Sequence, residues 1–224
     1  MSTYIIIATV SYLLGSIPFG YILVRLFLKQ DIRTTGSGNI GATNVGRTGH
    51  KGLAIATLLL DAGKGFLAVL GTIVTFAYAM SHDAAFGYGL AAFAGLCAIL
   101  GHMFPVWLKF KGGKGVATAV GSFAILSPRA VLVALGIFLV TVLLTRYVSL
   151  GSILAAISFP IAVYFVPPHL QPGDVLPLQF YVYTATAALL VVAKHHQNIG
   201  RMLAGTENKL GAKRLSPQQM EKQA

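Results

Sequence analysis

The chain has 224 residues, of which 55% are hydrophobic and only 10% are charged, whereas an average soluble domain carries about 25% charged residues. This composition excludes an ordinary soluble protein and indicates an all-α integral membrane protein whose apolar segments cross the bilayer. The 17 Lys and Arg residues outnumber the 6 Asp and Glu residues. Because these basic residues lie mainly between apolar segments, membrane lipids and an anionic substrate are favoured as partners over nucleic acid.

Seven apolar segments follow one another along the chain, and a helix needs about 20 residues to cross a bilayer. The first segment has no basic n-region and no cleavage site, which favours an uncleaved span over a signal peptide. Gly15, Pro18 and Gly20 predict a kink in it. The predicted spans are 3–27, 53–80, 85–107, 116–127, 130–144, 150–166 and 178–193. We expect a single membrane-embedded domain, 1–224, with seven transmembrane segments.

The distribution of basic residues favours one topology for these segments. The fourth segment, near 116–127, is too short for a full crossing by itself, and Ser127 and Pro128 after it are typical of a helix start. If the chain turns there and the N-terminus is outside, every Lys and Arg except Arg129 lies on the cytoplasmic side. This predicts a cytoplasmic C-terminus and leaves the depth of the short segment open.

The loop of residues 33–52, R-T-T-G-S-G-N-I-G-A-T-N-V-G-R-T-G-H-K-G, is the first of three polar clusters. Its glycines let backbone N–H groups turn inward and its cations supply charge, a combination suited to a phosphate, although a flexible basic linker is the alternative. The G-x-G-x-x-G match at 36–41 does not indicate dinucleotide binding, because no strand precedes it. The phosphate-site candidates here are Ser37, Gly38, Asn39, Gly41, Thr43, Asn44, Arg47 and Lys51.

The loops 108–115 and 194–210 carry the other two clusters, and the topology places all three on one side. Lys114 follows two glycines where a helix is expected to begin, and free N–H groups at a helix start favour a phosphate. His195 and Asn198 share a face if the seventh helix continues, and Glu207 can orient a basic group. The candidates here are Gly112, Gly113, Lys114, His195, Asn198 and Glu207.

Three further ionisable residues lie within the predicted spans. Asp61 and Lys64, spaced i, i+3, form either an internal ion pair or a functional pair. His102 is more often expected to be a structural hydrogen-bonding group than a base, so all three are supporting candidates. No cluster of His, Cys, Asp and Glu has zinc-like spacing, and no acidic set suggests Mg²⁺. We expect neither a metal nor a cofactor.

Five motifs resemble, in order and over nearly the whole chain, the bacterial glycerol-3-phosphate acyltransferase family that uses acyl phosphate as donor. They are S-G-N-I-G-A-T-N at 37–44, D-x-x-K-G at 61–65, G-H-x-F-P at 101–105, G-G-K-G-V-A-T at 112–118 and H-x-x-N-I-x-R-x-x-x-G-T-E at 195–207. The resemblance implies a seven-span enzyme of the bacterial inner membrane with a cytoplasmic active site. Such an enzyme transfers a fatty acyl group from acyl phosphate to the 1-hydroxyl of glycerol 3-phosphate. The products are lysophosphatidic acid and phosphate, in the first acylation step of phospholipid synthesis.

We also hypothesise roles for individual residues and a route for the proton. Ser37, the loop N–H groups and Thr43 hold one phosphate. Arg47 and Lys114 supply charge to the phosphates and the leaving group, and His195 and Asn198 position glycerol 3-phosphate. The second pKa of a phosphate monoester is near ~6, so a substrate phosphate can accept the hydroxyl proton. Contact with the soluble enzyme that makes acyl phosphate is compatible with this interpretation. The catalytic candidates are Ser37, Arg47, Lys114, His195 and Asn198.

Two other functions are compatible with the sequence. A transporter of phosphate or an organic phosphate would also have several spans and a basic pocket. Against it, the sequence shows no internal repeat of the kind many transporters have, and the polar clusters are predicted on one side. A different phospholipid-pathway transferase with the same anion-binding loop is a weaker alternative.

Overall fold

The computed structural model describes residues 2–76, 84–168 and 175–211. Within these ranges the regular elements are helices and there are no strands, which confirms the all-α fold class. Three parts of the predicted layout lie outside the described residues: the end of the second span at 77–80, residues 169–174 before the last span, and the end of the basic tail at 212–224.

Ten α-helices follow one another along the described residues. They are α1 (Ser2–Gly15), α2 (Phe19–Leu28), α3 (Ala42–Gly46), α4 (Lys51–Thr75), α5 (Ala84–Met103), α6 (Val116–Ala124), α7 (Pro128–Thr145), α8 (Val148–Phe165), α9 (Leu178–Lys194) and α10 (His196–Leu203). Two short 3₁₀ turns, Ile32–Thr34 and Val106–Leu108, follow α2 and α5.

Five helical segments of the described residues are long and apolar enough to cross a membrane. They are Ser2–Leu28, Lys51–Thr75, Phe86–Leu108, Pro128–Thr145 and Val148–Phe165. Helix α9 is apolar but slightly shorter, with 17 residues. Helix α6 has 9 residues and rises only about 14 Å at 1.5 Å per residue, against a hydrocarbon thickness of about 30 Å. The chain is therefore a multi-pass membrane protein with one distinctly short apolar helix.

The structure refines three helix boundaries. Helix α1 ends at Gly15 and α2 begins at Phe19, so the first apolar segment is interrupted next to Pro18, where a kink is predicted. Helix α6 ends at Ala124, before the predicted end at 127. Helix α7 begins with Pro128 as expected, but the side chain of Ser127 makes no capping hydrogen bond.

Glycine residues bring α4 and α6 into close contact. A Cβ atom added to Gly121 would overlap the backbone of Ala62, and one added to Gly65 would meet the carbonyl of Thr118 and the hydroxyl of Ser122. Membrane helices commonly pack through such small residues because their backbones can then approach closely. This contact fixes the position of the start of α6 and of the turn that precedes it.

Aromatic side chains from three helices fill the core behind this contact. Phe123 of α6, Phe159 of α8 and Phe180 of α9 are buried, and the rings of Phe123 and Phe159 have their centroids 4.9 Å apart. By contrast, Leu143 and Leu144 on α7 are exposed, as expected for side chains that contact lipid. The short helix α6 is thus held by protein contacts on its inner side.

Candidate active site

The glycine-rich loop is held together from the inside by the side chain of Asn44. Its amide oxygen accepts the N–H of Ser37 at 2.8 Å, and its NH₂ group donates to the carbonyl oxygens of Ile32, Thr35 and Asn39 at 3.2, 2.9 and 2.8 Å. Asn44 is buried, and both of its amide hydrogens are engaged. Through these contacts Asn44 holds the loop together, whereas the sequence predicts that it binds a phosphate.

The N–H groups of the loop are used differently from the prediction. Those of Ser37, Gly38 and Gly41 donate to acceptors inside the loop, at 2.8, 3.0 and 2.8 Å. Each N–H group has one hydrogen to donate, so the structure contradicts their predicted use as phosphate donors. The hydroxyl-bearing side chains of Ser37 and Thr43 are exposed and remain candidates for that contact.

The Gly112–Gly113 turn packs directly on the end of α5. The N–H of Gly112 donates to the carbonyl of Met103 at 3.2 Å, and the N–H of Gly113 donates to that of His102 at 3.0 Å. A Cβ atom added to Gly113 would overlap the imidazole of His102. These N–H groups are therefore not free to bind a phosphate, which is the role that the sequence suggests for them. The glycines instead allow the turn to approach α5 closely.

Lys114, the next residue, begins a chain of hydrogen bonds that joins this turn to α10. Its ammonium donates to the amide oxygen of Asn198. The amide nitrogen of Asn198 donates to Oε1 of Glu207 at 2.6 Å, and Nε of Arg201 donates to Oε2 of Glu207 at 2.7 Å. Asn198 and Glu207 are buried. The structure thus brings together two of the predicted clusters, which are far apart in the chain.

Two residues outside the predicted site complete this network. The hydroxyl of Ser149, on α8, donates to Oε1 of Glu207 at 2.8 Å, and Arg201 forms the ion pair with Glu207. Arg201 lies in the fifth motif, so the sequence could have indicated its charge near Glu207, but no local pattern marks Ser149. With both oxygens occupied, Glu207 has the contacts of an orienting group. The sequence suggests this orienting role for Glu207, and its place among the substrate-binding candidates stays a prediction.

Burial, together with two neighbouring positive charges, makes the ammonium of Lys114 easier to deprotonate. Burial lowers the pKa of Lys114 to about 8, Glu207 opposes this change, and the positive charges of Arg201 and Arg47 add to it. Arg47, in the glycine-rich loop, is half-buried. Leu108, at the start of the 108–115 loop, shares a buried cluster with Ile40 and Val45 of the glycine-rich loop, so the first predicted cluster lies beside the second.

His195 lies between α9 and α10, so the seventh predicted span does not continue as one unbroken helix through this residue. Its Nδ1 is 2.7 Å from the carbonyl oxygen of Val191, which can only accept, so Nδ1 carries the hydrogen and Nε2 of the neutral ring has a lone pair. Burial and then the charge of Lys114 lower the pKa of His195 to about 4, while the Val191 bond and Glu207 act in the opposite direction. At neutral pH, Nε2 can accept a hydrogen bond from a hydroxyl group.

The three ionisable residues of the spans form a cluster below the Gly112–Gly113 turn. The ammonium of Lys64 is 2.8 Å from Oδ1 of Asp61, and Nδ1 of His102 is 3.4 Å from the same oxygen. Lys64 also donates to the carbonyl of Ile17 at 2.8 Å. All three side chains are buried, so Asp61 and Lys64 form an internal ion pair with His102 beside it.

The remaining candidate, Lys51, is the first residue of α4 and is exposed. It therefore lies in a helix rather than in the loop where the sequence places it. Among the residues that the structure describes, no group of three or more His, Cys, Asp or Glu side chains could hold a metal ion.

Replacing Ser149 by alanine tests the newly found part of the network. Burial alone would raise the pKa of Glu207, but hydrogen bonds from Asn198, Arg201 and Ser149 bring it below its ordinary value. Because two of these donors remain in Ser149→Ala, we expect kcat/KM to fall only about three- to tenfold, less than the full contribution of a hydrogen bond to a charged group.

The matched control for this variant is Ser152→Ala on the same helix. The hydroxyl of Ser152 donates to the carbonyl of Val148 within α8, so its removal should leave kcat/KM unchanged. Steady-state kinetics at neutral pH measure both variants. Equal kcat/KM values for wild type and Ser149→Ala would show that Ser149 does not support the network.

Comparisons with known proteins agree with this arrangement. Residues 5–205 match the protein family described as glycerol-3-phosphate acyltransferase. A protein of that name from Mesorhizobium japonicum is 50% identical over 202 residues, which cover 90% of this chain and 93% of the relative. Another from Syntrophotalea carbinolica is 47% identical over 212 residues, covering 95% of this chain and 100% of the relative.

Two solved structures of PlsY (YgiH), an integral membrane glycerol 3-phosphate acyltransferase, are similar to this chain. The glycerol 3-phosphate form has a TM-score of 0.81 and 36% sequence identity, covering 93% of this chain and 96% of that chain. The lysophosphatidic acid form has a TM-score of 0.78 and 35% identity, covering 93% and 95%.

Proposed function

Because this chain belongs to the glycerol-3-phosphate acyltransferase family, we propose that the network of Lys114, Asn198 and Glu207 orients two phosphorylated substrates for acyl transfer. The chain is an acyltransferase that acylates glycerol 3-phosphate to lysophosphatidic acid, a reaction of phospholipid synthesis. Because the chain belongs to this family, the acyltransferase is favoured over the transporter that the sequence left as an alternative.

The observation that carries the proposed site is the buried hydrogen-bond network that joins Lys114 to Asn198 and Glu207. The charge of Arg47 adds to the lowering of the Lys114 pKa, so the two cations repel each other. A phosphate bound between them would relieve this repulsion. Arginine can grip a phosphate through two parallel hydrogen bonds, whereas lysine acts as a point charge. Ser37, exposed in the loop, is proposed to donate its hydroxyl to a phosphate.

The proposed donor is acyl phosphate, whose acyl group is already activated. The 1-hydroxyl oxygen of glycerol 3-phosphate attacks the acyl carbonyl carbon and forms the ester bond. The bond from that carbon to the phosphate oxygen breaks, and inorganic phosphate leaves with the electron pair. The hydroxyl proton passes to a phosphate oxygen. Arg47 and Lys114 stabilise the departing charge, while His195 and Asn198 position the hydroxyl.

The proposed topology has seven crossings in a single domain, 1–224, with the N-terminus outside and the C-terminus in the cytoplasm. Helices α1 and α2 form the first crossing, and α4 to α9 form the others. The distribution of basic residues supports this orientation, because it places every Lys and Arg except Arg129 on the cytoplasmic side. The active site then faces the cytoplasm from the bacterial inner membrane. Exposed lysines such as Lys109 and Lys111 can meet anionic lipids there, and the soluble enzyme that makes acyl phosphate can approach.

The donor is tested with purified protein in detergent, glycerol 3-phosphate, and either palmitoyl phosphate or palmitoyl-CoA. We expect lysophosphatidic acid and an equal amount of inorganic phosphate from palmitoyl phosphate, and no product from palmitoyl-CoA. Product from palmitoyl-CoA alone would refute acyl phosphate as the donor.

The orientation is tested in sealed vesicles with an impermeant thiol reagent. Ser37→Cys and Asp174→Cys, each in a Cys97→Ala background, should react from opposite faces of the membrane. Reaction of both cysteines from the same face would contradict the seven-crossing topology.

A further inference from the structure

The buried cluster of Asp61, Lys64 and His102 connects helices α4 and α5 with the break after α1. Asp61 and Lys64 lie on α4, His102 lies near the end of α5, and Lys64 reaches the carbonyl of Ile17 between α1 and α2. A buried charge that loses its partner is strongly destabilising. The positions of these side chains are therefore tightly coupled.

One side of this cluster supports the turn that carries Lys114. The carbonyl of His102 accepts the N–H of Gly113 at 3.0 Å, and the Nε2 side of its imidazole faces Gly113 so closely that a Cβ atom there would overlap it. The other ring nitrogen, Nδ1, faces Asp61 at 3.4 Å. Both sides of the imidazole are thus occupied by protein, and the ring is completely enclosed between α4 and the turn.

This enclosure distinguishes His102 from a general base. A base must come within hydrogen-bond reach of the proton that it removes, but the Nε2 atom of His102 is covered by Gly113. An Asp–His pair in a cleft would suggest acid–base chemistry, whereas this pair lies under a loop. The cluster can affect the reaction only through the position of the residues above it.

We propose that Asp61, Lys64 and His102 are positioning residues that hold the Gly112–Gly113 turn and thereby place the ammonium of Lys114 against Asn198. This inference rests on the proposed role of Lys114. Five side chains interact with that ammonium: Asn198 bonds to it, Glu207, Arg201 and Arg47 act on it by charge, and the pKa of His195 is lowered by it. If the turn moves, the burial of Lys114 and its distances to these groups change together.

Gly113→Ala tests the proposal without changing any ionisable group. The added methyl group pushes the turn away from His102, so Lys114 becomes more solvated. Its pKa, about 8 in the intact site, should then rise towards the ordinary lysine value of about 10.4. We expect the alkaline limb of the kcat/KM profile to move up by about one pH unit or more, and kcat/KM at neutral pH to fall about ten- to a hundredfold.

Two substitutions of His102 separate support of the turn from acid–base chemistry. Glutamine can place its amide nitrogen near the former Nε2 position, whereas alanine leaves a gap under Gly113. The proposal predicts that His102→Ala shifts the alkaline limb of the kcat/KM profile to higher pH. In His102→Gln, the limb should lie close to its wild-type position. If both variants lose activity equally, and the acid limb of the kcat/KM profile disappears while the alkaline limb does not move, His102 is an acid–base group and the proposal fails.

Phe159→Ala is the control for destabilisation alone, because Phe159 packs against Phe123 in the core. It should lower Tm while leaving the alkaline limb in place. NMR titration of ¹⁵N-labelled lysine, with the Lys114 signal assigned by its loss in Lys114→Gln, gives the pKa without any assay of activity. An unchanged Lys114 pKa in Gly113→Ala would overturn the proposal. A raised pKa that leaves kcat/KM unaffected would instead disprove the catalytic role of Lys114.

Discussion

Lys114→Gln is expected to lower kcat/KM about a hundred- to a thousandfold, the range found when one donor that stabilises developing charge is removed. The reason is that Lys114 supplies a half-buried positive charge next to the proposed phosphate position, and glutamine supplies none. The fold should survive, because glutamine can still donate a hydrogen bond to Asn198. Steady-state kinetics with palmitoyl phosphate and glycerol 3-phosphate measure the effect.

The pH dependence gives a second test of the same residue. Because the pKa of Lys114 is lowered to about 8, its charge is fully present below that pH and is lost as the pH rises through it. We therefore expect the kcat/KM of the wild type, which reports the free enzyme, to fall above about pH 8. Lys114→Arg should retain its charge through this range, so its profile should remain flat there.

Lys111→Gln is the matched control, because Lys111 is an exposed lysine just before the same turn. Its replacement should leave both the rate and the alkaline limb unchanged. If Lys114→Gln and Lys111→Gln are equally active, the proposed charge role of Lys114 is wrong.

His195→Ala is expected to lower kcat/KM about a hundredfold, the loss that misplacement of a reacting group can cause. Nε2 of the neutral imidazole is the atom proposed to accept a hydrogen bond from the substrate hydroxyl, and alanine cannot replace it. The neighbouring His196 is exposed, so His196→Ala should retain full activity and serves as the control.

The acid limb of the pH profile identifies the proton acceptor. If a substrate phosphate accepts the proton, it must be dianionic, and the rate rises with pH through about 6, the second pKa of a phosphate monoester. If His195 accepts it, the rate rises through about 4, where the neutral imidazole forms. We expect the limb near 6 in wild type and in His195→Ala alike. A limb near 4 that disappears in His195→Ala would identify His195 as the base.

The three predicted polar clusters were informative because each combines motif residues with charge beside an apolar segment. The network joins Lys114 of the second cluster to Asn198 and Glu207 of the third, and Leu108 shares a buried cluster with Ile40 and Val45 of the first. The predicted role of the glycine N–H groups agrees less well with the structure. Sequence alone does not show whether an N–H such as that of Gly113 faces a ligand or a neighbouring carbonyl.

Ser149 illustrates why part of the site could not be predicted. It lies 58 residues from Glu207 in the chain, in an apolar helix whose serines look alike in sequence. Ser149 donates to the carboxylate, whereas Ser152 donates to a carbonyl of its own helix. Only the packing of α8 beside the C-terminal segment distinguishes these two hydroxyls.

The sequence by itself determined that this protein is helical, lies in the membrane and belongs to an acyltransferase family, because apolar segment lengths and motif residues are local properties of the chain. The tertiary structure decided how those residues are used. Asn44 holds its loop from within, the glycines of the Lys114 turn pack on His102, and Glu207 orients its neighbours. These roles depend on which groups meet across helices, since each buried donor or acceptor takes the partner that packing brings to it.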